Sequence, residues 1–344
     1  MATGAQFGVG GRNAVLVRDP HTRTVHLTAV SSLGRELRSH EWQRADDGAW
    51  SRPCAYEVWT GTAWTPIRRV ICRDWPVTMP AHVIRTRTGE VVLPANQALL
   101  CADGTLVHSG AGLVGLALMQ GPHTPRHAST GQTAAGAWIL GLVLMTWHLV
   151  GSGEDFTVLK RAFGRFCTAV REAVPEFTFR RVQDADEAAR WKIVALAGGC
   201  HLENLLAAAM ADPLDPCVPS SILCGSRAVR IAFIAGLVGS GRDANISSTG
   251  DHFVLTSGTS VIRAGVALVF RSLGYVVELS PERGVMTAAR RAGPEAEDVV
   301  ASVTTERLVC ALAAFSLETE AGRFQVGIGS LIVPGELAPV PGYF

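Results

Sequence analysis

Apolar and polar positions alternate in short runs over the first 120 residues. Ala14-Val-Leu-Val17 and Thr24-Val-His-Leu-Thr28 flank the turn sequence Asp19-Pro20-His21-Thr22. Tyr56-Glu-Val-Trp59, Thr65–Ile71, His82–Arg85 and Val91–Leu93 follow, each bounded by Gly, Pro or Asp. Short alternating runs punctuated this way predict β-strands, so residues 8–125 read as a β module.

The pattern changes near residue 130. Ala134–Val150 (AAGAWILGLVLMTWHLV) is a continuous apolar run long enough for a buried helix. Phe156–Val174 places Leu159, Phe163, Phe166, Val170 and Val174 near helical spacing, and Asp184–Met210 also reads as helical. Ile231–Val238 is a second apolar segment containing glycine. Phe253–Ser257 predicts a strand, Ser260–Leu273 a helix stopped by Gly274, and Tyr275–Leu279 a strand. From about residue 300 the alternation returns, in Leu308–Leu312, Ala314–Glu318, Phe324–Gly327 and Leu331–Val333. An α+β domain (130–295) therefore interrupts a β domain (8–125 and 300–335), with an extension at 1–7 and a tail at 336–344.

Composition narrows the class. The 344 residues are 48% hydrophobic and 18% charged, which excludes disorder and coiled coil. Thirty-one basic residues face 30 acidic ones, so no global positive field favours nucleic acid and any basic patch is local. Eight cysteines without a C-x-x-C pair imply neither a disulfide scaffold nor a zinc knuckle. The N-terminus lacks the basic and apolar regions of a signal peptide, so an intracellular location is expected.

Four stretches resemble inteins carrying an inserted LAGLIDADG homing endonuclease, in particular those of viral family B DNA polymerases. Gly8–Asp19 (GVGGRNAVLVRD) resembles the entry strand of the splicing fold. Val58–Ile71 with Val83–Leu100 resembles the stretch that ends in a T-x-x-H motif. Trp138–Trp147 and Phe233–Asp243, the latter followed by Phe253–Gly274, resemble the two LAGLIDADG helices. Leu317–Val333 resembles the closing strands before the C-terminal splice junction. The resemblance covers most of residues 8–333. It implies an all-β Hint-like domain interrupted by an α+β two-repeat LAGLIDADG-like domain, whose helices meet through small residues, here Gly141 and Ala235 with Gly236. It also implies a source among large DNA viruses, and hence a nuclear or viral-factory location.

The family's chemistry is missing at each matched position. Splicing starts from a Cys or Ser nucleophile, and Gly8 stands there without a side chain. The T-x-x-H motif matches Pro94-Ala95-Asn96-Gln97, and Gln97 can hydrogen-bond but cannot carry a proton near neutral pH. The C-terminal His-Asn matches Pro334-Gly335. In the endonuclease, each motif helix ends in a carboxylate that holds a divalent cation, and here Thr146 and Gly241 occupy those places. Asp243 is the nearest acid that could have relocated, in which case Mg would be the cofactor; otherwise none is expected. The expected protein neither splices nor cuts, and is a relic or a scaffold for double-stranded DNA or a protein partner, a monomer off the membrane. The alternatives are an endonuclease with relocated acids and a membrane protein with a helical hairpin in 104–153.

Other motifs have plainer readings. Gly110–Gly115 spells G-x-G-x-x-G without a surrounding βαβ unit. His123 and His127 are flanked by Pro122 and Pro125, which favours a loop over a metal-binding helix, and Cys200-His201 with Cys217 and Cys224 has no zinc spacing. Trp59, Trp64 and Trp75 suit a core better than base stacking. Arg68, Arg69, Arg85, Arg87, Arg180 and Arg181 are the candidate phosphate contacts, with a solvated surface as their plain alternative.

Overall fold

A computed structural model describes residues 8–33, 42–45, 47–95, 97–121, 131–144, 155–183, 190–198, 204, 205, 207, 216–240, 246–249, 252–256, 258–280, 285–290, 298–310 and 312–337. The described chain is mostly β with few helices. It divides into two compact units. The first comprises residues 1–124, 277–284 and 292–344, and the second 125–276 and 285–291.

The first unit is built mainly of antiparallel strand pairs. Its main sheet contains β1 (Val9–Gly10), β2 (Ala14–Arg18), β3 (Val25–Ala29), β4 (Gln43–Arg44), β5 (Trp50–Pro53), β6 (Glu57–Trp59) and β7 (Trp64–Trp75). The same sheet takes in β20 (Leu312–Thr319) and β23 (Glu336–Leu337) from the far end of the chain. β8 (Ala81–Thr86) pairs with both β9 (Glu90–Pro94) and β19 (Val300–Glu306). β10 (Ala98–Leu100) pairs with β11 (Leu106–His108), and β21 (Arg323–Val326) with β22 (Leu331–Pro334). Strand alternation sends Val15, Val17, Val58, Ile67, Val70, Ile84, Val91 and Leu93 into one core with Leu317, Phe324, Val326 and Val333. Residues more than 200 positions apart thus share one buried cluster, so neither terminal piece has a complete core without the other.

β7 is the long element of this unit, at twelve residues. Its Pro66 lies opposite Glu57; Ile67 gives its N–H to the Tyr56 carbonyl, so the proline nitrogen turns to the other side, beyond the last β20 pair at Ile67, where no ladder bond is lost. Trp75 is buried, and its indole N–H donates to the Met79 carbonyl at 2.9 Å. Trp59 and Trp64 meet edge to face at 5.5 Å. All three indoles are thus packed against protein.

The second unit has helices and small sheets. α1 (Ala134–Leu144) packs on α4 (Arg227–Ser240), and α2 (Phe163–Ala173) also packs on α1. α3 (Ser220–Leu223) is a single turn, and α5 (Ser260–Ser272) carries Val261, Ile262, Val266, Val269 and Phe270 to the interior. Thr259 caps α5 by accepting the Ile262 N–H at 3.3 Å. One sheet has the order β12 (Asp155–Leu159), β14 (Arg190–Ala197), β13 (Thr178–Gln183). A second includes β15 (Ile246–Thr249), β16 (His252–Leu255) and β18 (Met286–Ala289). β17 (Val276–Leu279) carries the chain from the second unit into the first.

Three sequence expectations change here: residues 308–310, expected within the strand Leu308–Leu312, lie outside any strand, between β19 and β20. Residues 155–159 are a strand, and α2 begins only at Phe163. The helix expected over Asp184–Met210 is replaced at 190–197 by β14. Trp191-Lys-Ile-Val194 alternates half-buried, exposed, buried and half-buried, the period of a strand. No helix among the described residues is long and apolar enough to cross a membrane. That weighs against the hairpin reading of 104–153.

Candidate chain-end junction and nucleic-acid face

β20 brings the two ends of the first unit together. One edge of β20 is occupied by β7 from Leu312 to Thr319. The opposite edge receives β1 at Ala314 and Phe315, and β23 in parallel at Glu318 and Thr319. A Cβ on Gly8, just before β1, would stand 3.0 Å from Ala314 Cβ and 3.7 Å from the Phe315 carbonyl oxygen. A Cβ on Gly335 would stand 2.6 Å from the Leu317 carbonyl oxygen. Gly8 and Gly335 therefore flank nearby positions on one strand edge.

Gln97 sits at the same place. The buried Gly8 N–H donates to Gln97 Oε1 at 2.6 Å. Gln97 is itself fixed from both sides: its N–H donates to the Pro94 carbonyl at 3.2 Å, and its carbonyl accepts the Ser109 N–H at 2.8 Å. Ser109 Oγ lies 3.0 Å from His82 Nδ1 and 3.3 Å from the Pro94 carbonyl. Positions 8, 94 and 97, about 90 residues apart in sequence, thus converge with the strand that receives Gly335. Gly8 and Gly335 supply no nucleophile, and the Gln97 amide carries no transferable proton.

Ser316 was not anticipated. It is buried, and its Oγ has no hydrogen-bond partner among the described residues. It lies on β20 between Phe315, which pairs with Val9, and Leu317, whose carbonyl faces Gly335, a placement that a sequence pattern does not reveal.

The arginines divide into two groups. Arg68 pairs with Glu320 at 2.8 Å, Arg69 with Glu318 at 2.8 Å, Arg85 with Glu90 at 2.6 Å and Arg87 with Glu278 at 2.9 Å. Each of these four charges is matched by a carboxylate of its own unit. Arg180 and Arg181 are neighbours on β13 and so project to opposite faces of its sheet. Arg181 lies over the rings of Phe163, at 5.3 Å, and Trp191, at 4.8 Å, on the face covered by α2. Arg180 shares the other face with Val182, opposite Lys192 of β14, and with Leu196. All four of those side chains are exposed. Lys192 was missed because its segment read as helical, where no shared face with Arg180 could be recognised.

The helix pair meets through glycine. A Cβ on Gly141 would lie 2.1 Å from the Phe233 carbonyl oxygen, and one on Gly236 would lie 2.0 Å from that of Trp138. Backbone therefore touches backbone, as small residues allow. Ala235 is exposed and takes no part in that crossing. Thr146, Gly241 and Asp243 lie outside the described residues, as do His123, His127, Cys200 and His201. Among the described residues no cluster of His, Cys, Asp and Glu could hold a metal ion.

No family model matches the chain, and no curated protein matches it. Part of the chain is similar to solved structures of I-DmoI, a LAGLIDADG homing endonuclease. For I-DmoI in complex with DNA and Ca the TM-score is 0.29 at 14% identity, over 45% of this chain and 82% of that one. For I-DmoI in complex with DNA and Mn it is 0.28 at 14% identity, over 45% and 88%. The likeness is partial and distant.

Proposed function

We propose that the first unit is a Hint-like splicing module silent at both junctions, and that the second is a LAGLIDADG-like domain that binds double-stranded DNA without cutting it. The bond from Gly8 N–H to Gln97 Oε1 carries this reading. Acyl transfer there needs a side-chain nucleophile and a group able to move a proton. The positions that would supply them are in contact and hold neither. The amide of Gln97 keeps the structural half of the matched histidine's task, accepting the backbone N–H, and drops the chemical half.

The test places the full chain between two reporter segments and weighs the products. An intact fusion is expected. A ligated product or a branched intermediate overturns the reading.

DNA contact is assigned to the exposed face of the β12–β14–β13 sheet, through Arg180 and Lys192. Two cations on one exposed face suit phosphate contacts, which position a duplex and carry no sequence information. Each phosphate contact contributes roughly 0.9 to the negative slope of log affinity against log salt. Arg180→Gln and Lys192→Gln are each expected to lower that slope by about 0.9 in fluorescence anisotropy on a duplex. An unchanged slope in both variants removes this face from the interface. Supercoiled plasmids carrying a randomised site library, incubated with Mg²⁺ or Mn²⁺, are expected to stay uncut. Site-specific linearisation that Asp243→Asn abolishes would establish a relocated nuclease.

A further inference from the structure

The outer face of α4 carries a feature that neither splicing nor DNA binding uses. Ile231, Ile234, Ala235 and Val238 face a cavity of about 390 Å³. Ile231 is 49% exposed, so the groove presents a large apolar side chain to solvent. The far wall is aromatic: Phe253, Phe270 and Tyr275 contact one another with centroids 4.9–5.5 Å apart. The groove follows α4 from Arg227 to Val238, about 16 Å at helical rise.

Its charge is one-sided. Arg227 opens α4 and lines the groove, and the helix dipole adds partial positive charge at that end. Arg290, over the Tyr275 ring at 5.2 Å, also lines it. No acidic side chain is in the lining among the described residues. The volume is that of a small-molecule site, and an apolar trough with a cationic end suits a ligand with a tail and one negative head.

We propose that this groove binds a small amphiphilic anion, an alkyl carboxylate in its simplest form. The tail lies on Ile231 and Val238 against the aromatic wall, and the carboxylate sits at the Arg227 end of α4. A neutral alcohol of the same chain length keeps the apolar contact and loses the charged one. A second copy of the chain would bury Ile231 but has no need of the cationic end.

The probe is dodecanoate below its micellar concentration, titrated calorimetrically into the full chain. Saturable one-to-one binding is expected, with dodecanol at least tenfold weaker. Ile231→Asp should weaken dodecanoate at least tenfold, and Arg227→Gln about threefold or more, with the melting curve unchanged in both. Phosphatidylglycerol vesicles should leave the chain in the supernatant. Absence of saturable binding overturns the proposal, as does equal affinity for dodecanol or an Ile231→Asp variant that binds as well as the parent. Sedimentation with vesicles that Ile231→Asp abolishes would assign the groove to a membrane surface. A dimer that the same variant dissolves would assign it to self-association. Either result overturns the small-ligand site.

Discussion

The hydrogen bond from Gly8 N–H to Gln97 Oε1 is buried and ties the start of β1 to the loop before β10. Removing the acceptor leaves a buried N–H without a partner, which costs about 1–3 kcal/mol. Gln97→Ala should therefore destabilise the first unit by that amount in urea unfolding, and Gln97→His, which keeps an acceptor nitrogen, should cost less. If the two variants are equally stable, the bond has no structural role. The positions were legible in sequence because Gly8, Pro94 and Gln97 fall at fixed places in a resemblance. Their contact was not, since 89 residues of chain separate Gly8 from Gln97. The arginines show the converse. Six cations looked equivalent in sequence, whereas ion pairing matches four of them and β-alternation sets Arg180 and Arg181 on opposite faces.

Elements succeeded or failed as readings according to their period. Most β-strands of 14–93 were visible because their turns are spelled out by Gly, Pro and Asp, whereas β4 and β5 carry no apolar alternation and were not expected. β14 was not, because two apolar neighbours, Ile193 and Val194, blur strand alternation into an apparent helix face. Turn chemistry also yields a pH dependence. Between β2 and β3, Asp19 Oδ1 accepts the N–H groups of His21 at 2.7 Å and Thr22 at 2.9 Å. These bonds, that from Thr22 foremost, hold the carboxyl below its ordinary range. A carboxyl depressed on folding stabilises the fold above its unfolded pKa, and that contribution is lost as pH falls through the lower, folded value. Asp19→Asn keeps the acceptor and removes the titration, so its stability should fall less steeply than the parent's over roughly pH 5 to 2. Denaturant titrations across that range check it, and parallel curves for the two proteins would count against the turn's part in acid sensitivity.

At the scale of the molecule, two cores belong to two units, and the chain should unfold accordingly. Leu317 and Val70 lie in the core of the first unit. Gly141 and Gly236 hold the helix pair of the second. In an isolated helix, Gly→Ala would favour helix by about 1 kcal/mol. Here the added methyl meets a carbonyl oxygen at 2.1 Å for Gly141, so the helices must separate. Overpacking of this kind costs about 3 kcal/mol, which outweighs the propensity gain. Leu317→Ala instead opens a cavity in the first core and costs about 2–5 kcal/mol. A chain with two cores need not unfold in one step. Scanning calorimetry should therefore resolve two transitions, with Gly141→Ala lowering one and Leu317→Ala the other. Gly236→Ala should reproduce the Gly141→Ala pattern, because the two glycines face one crossing. If either substitution moves both transitions equally, the units are coupled in a single cooperative fold.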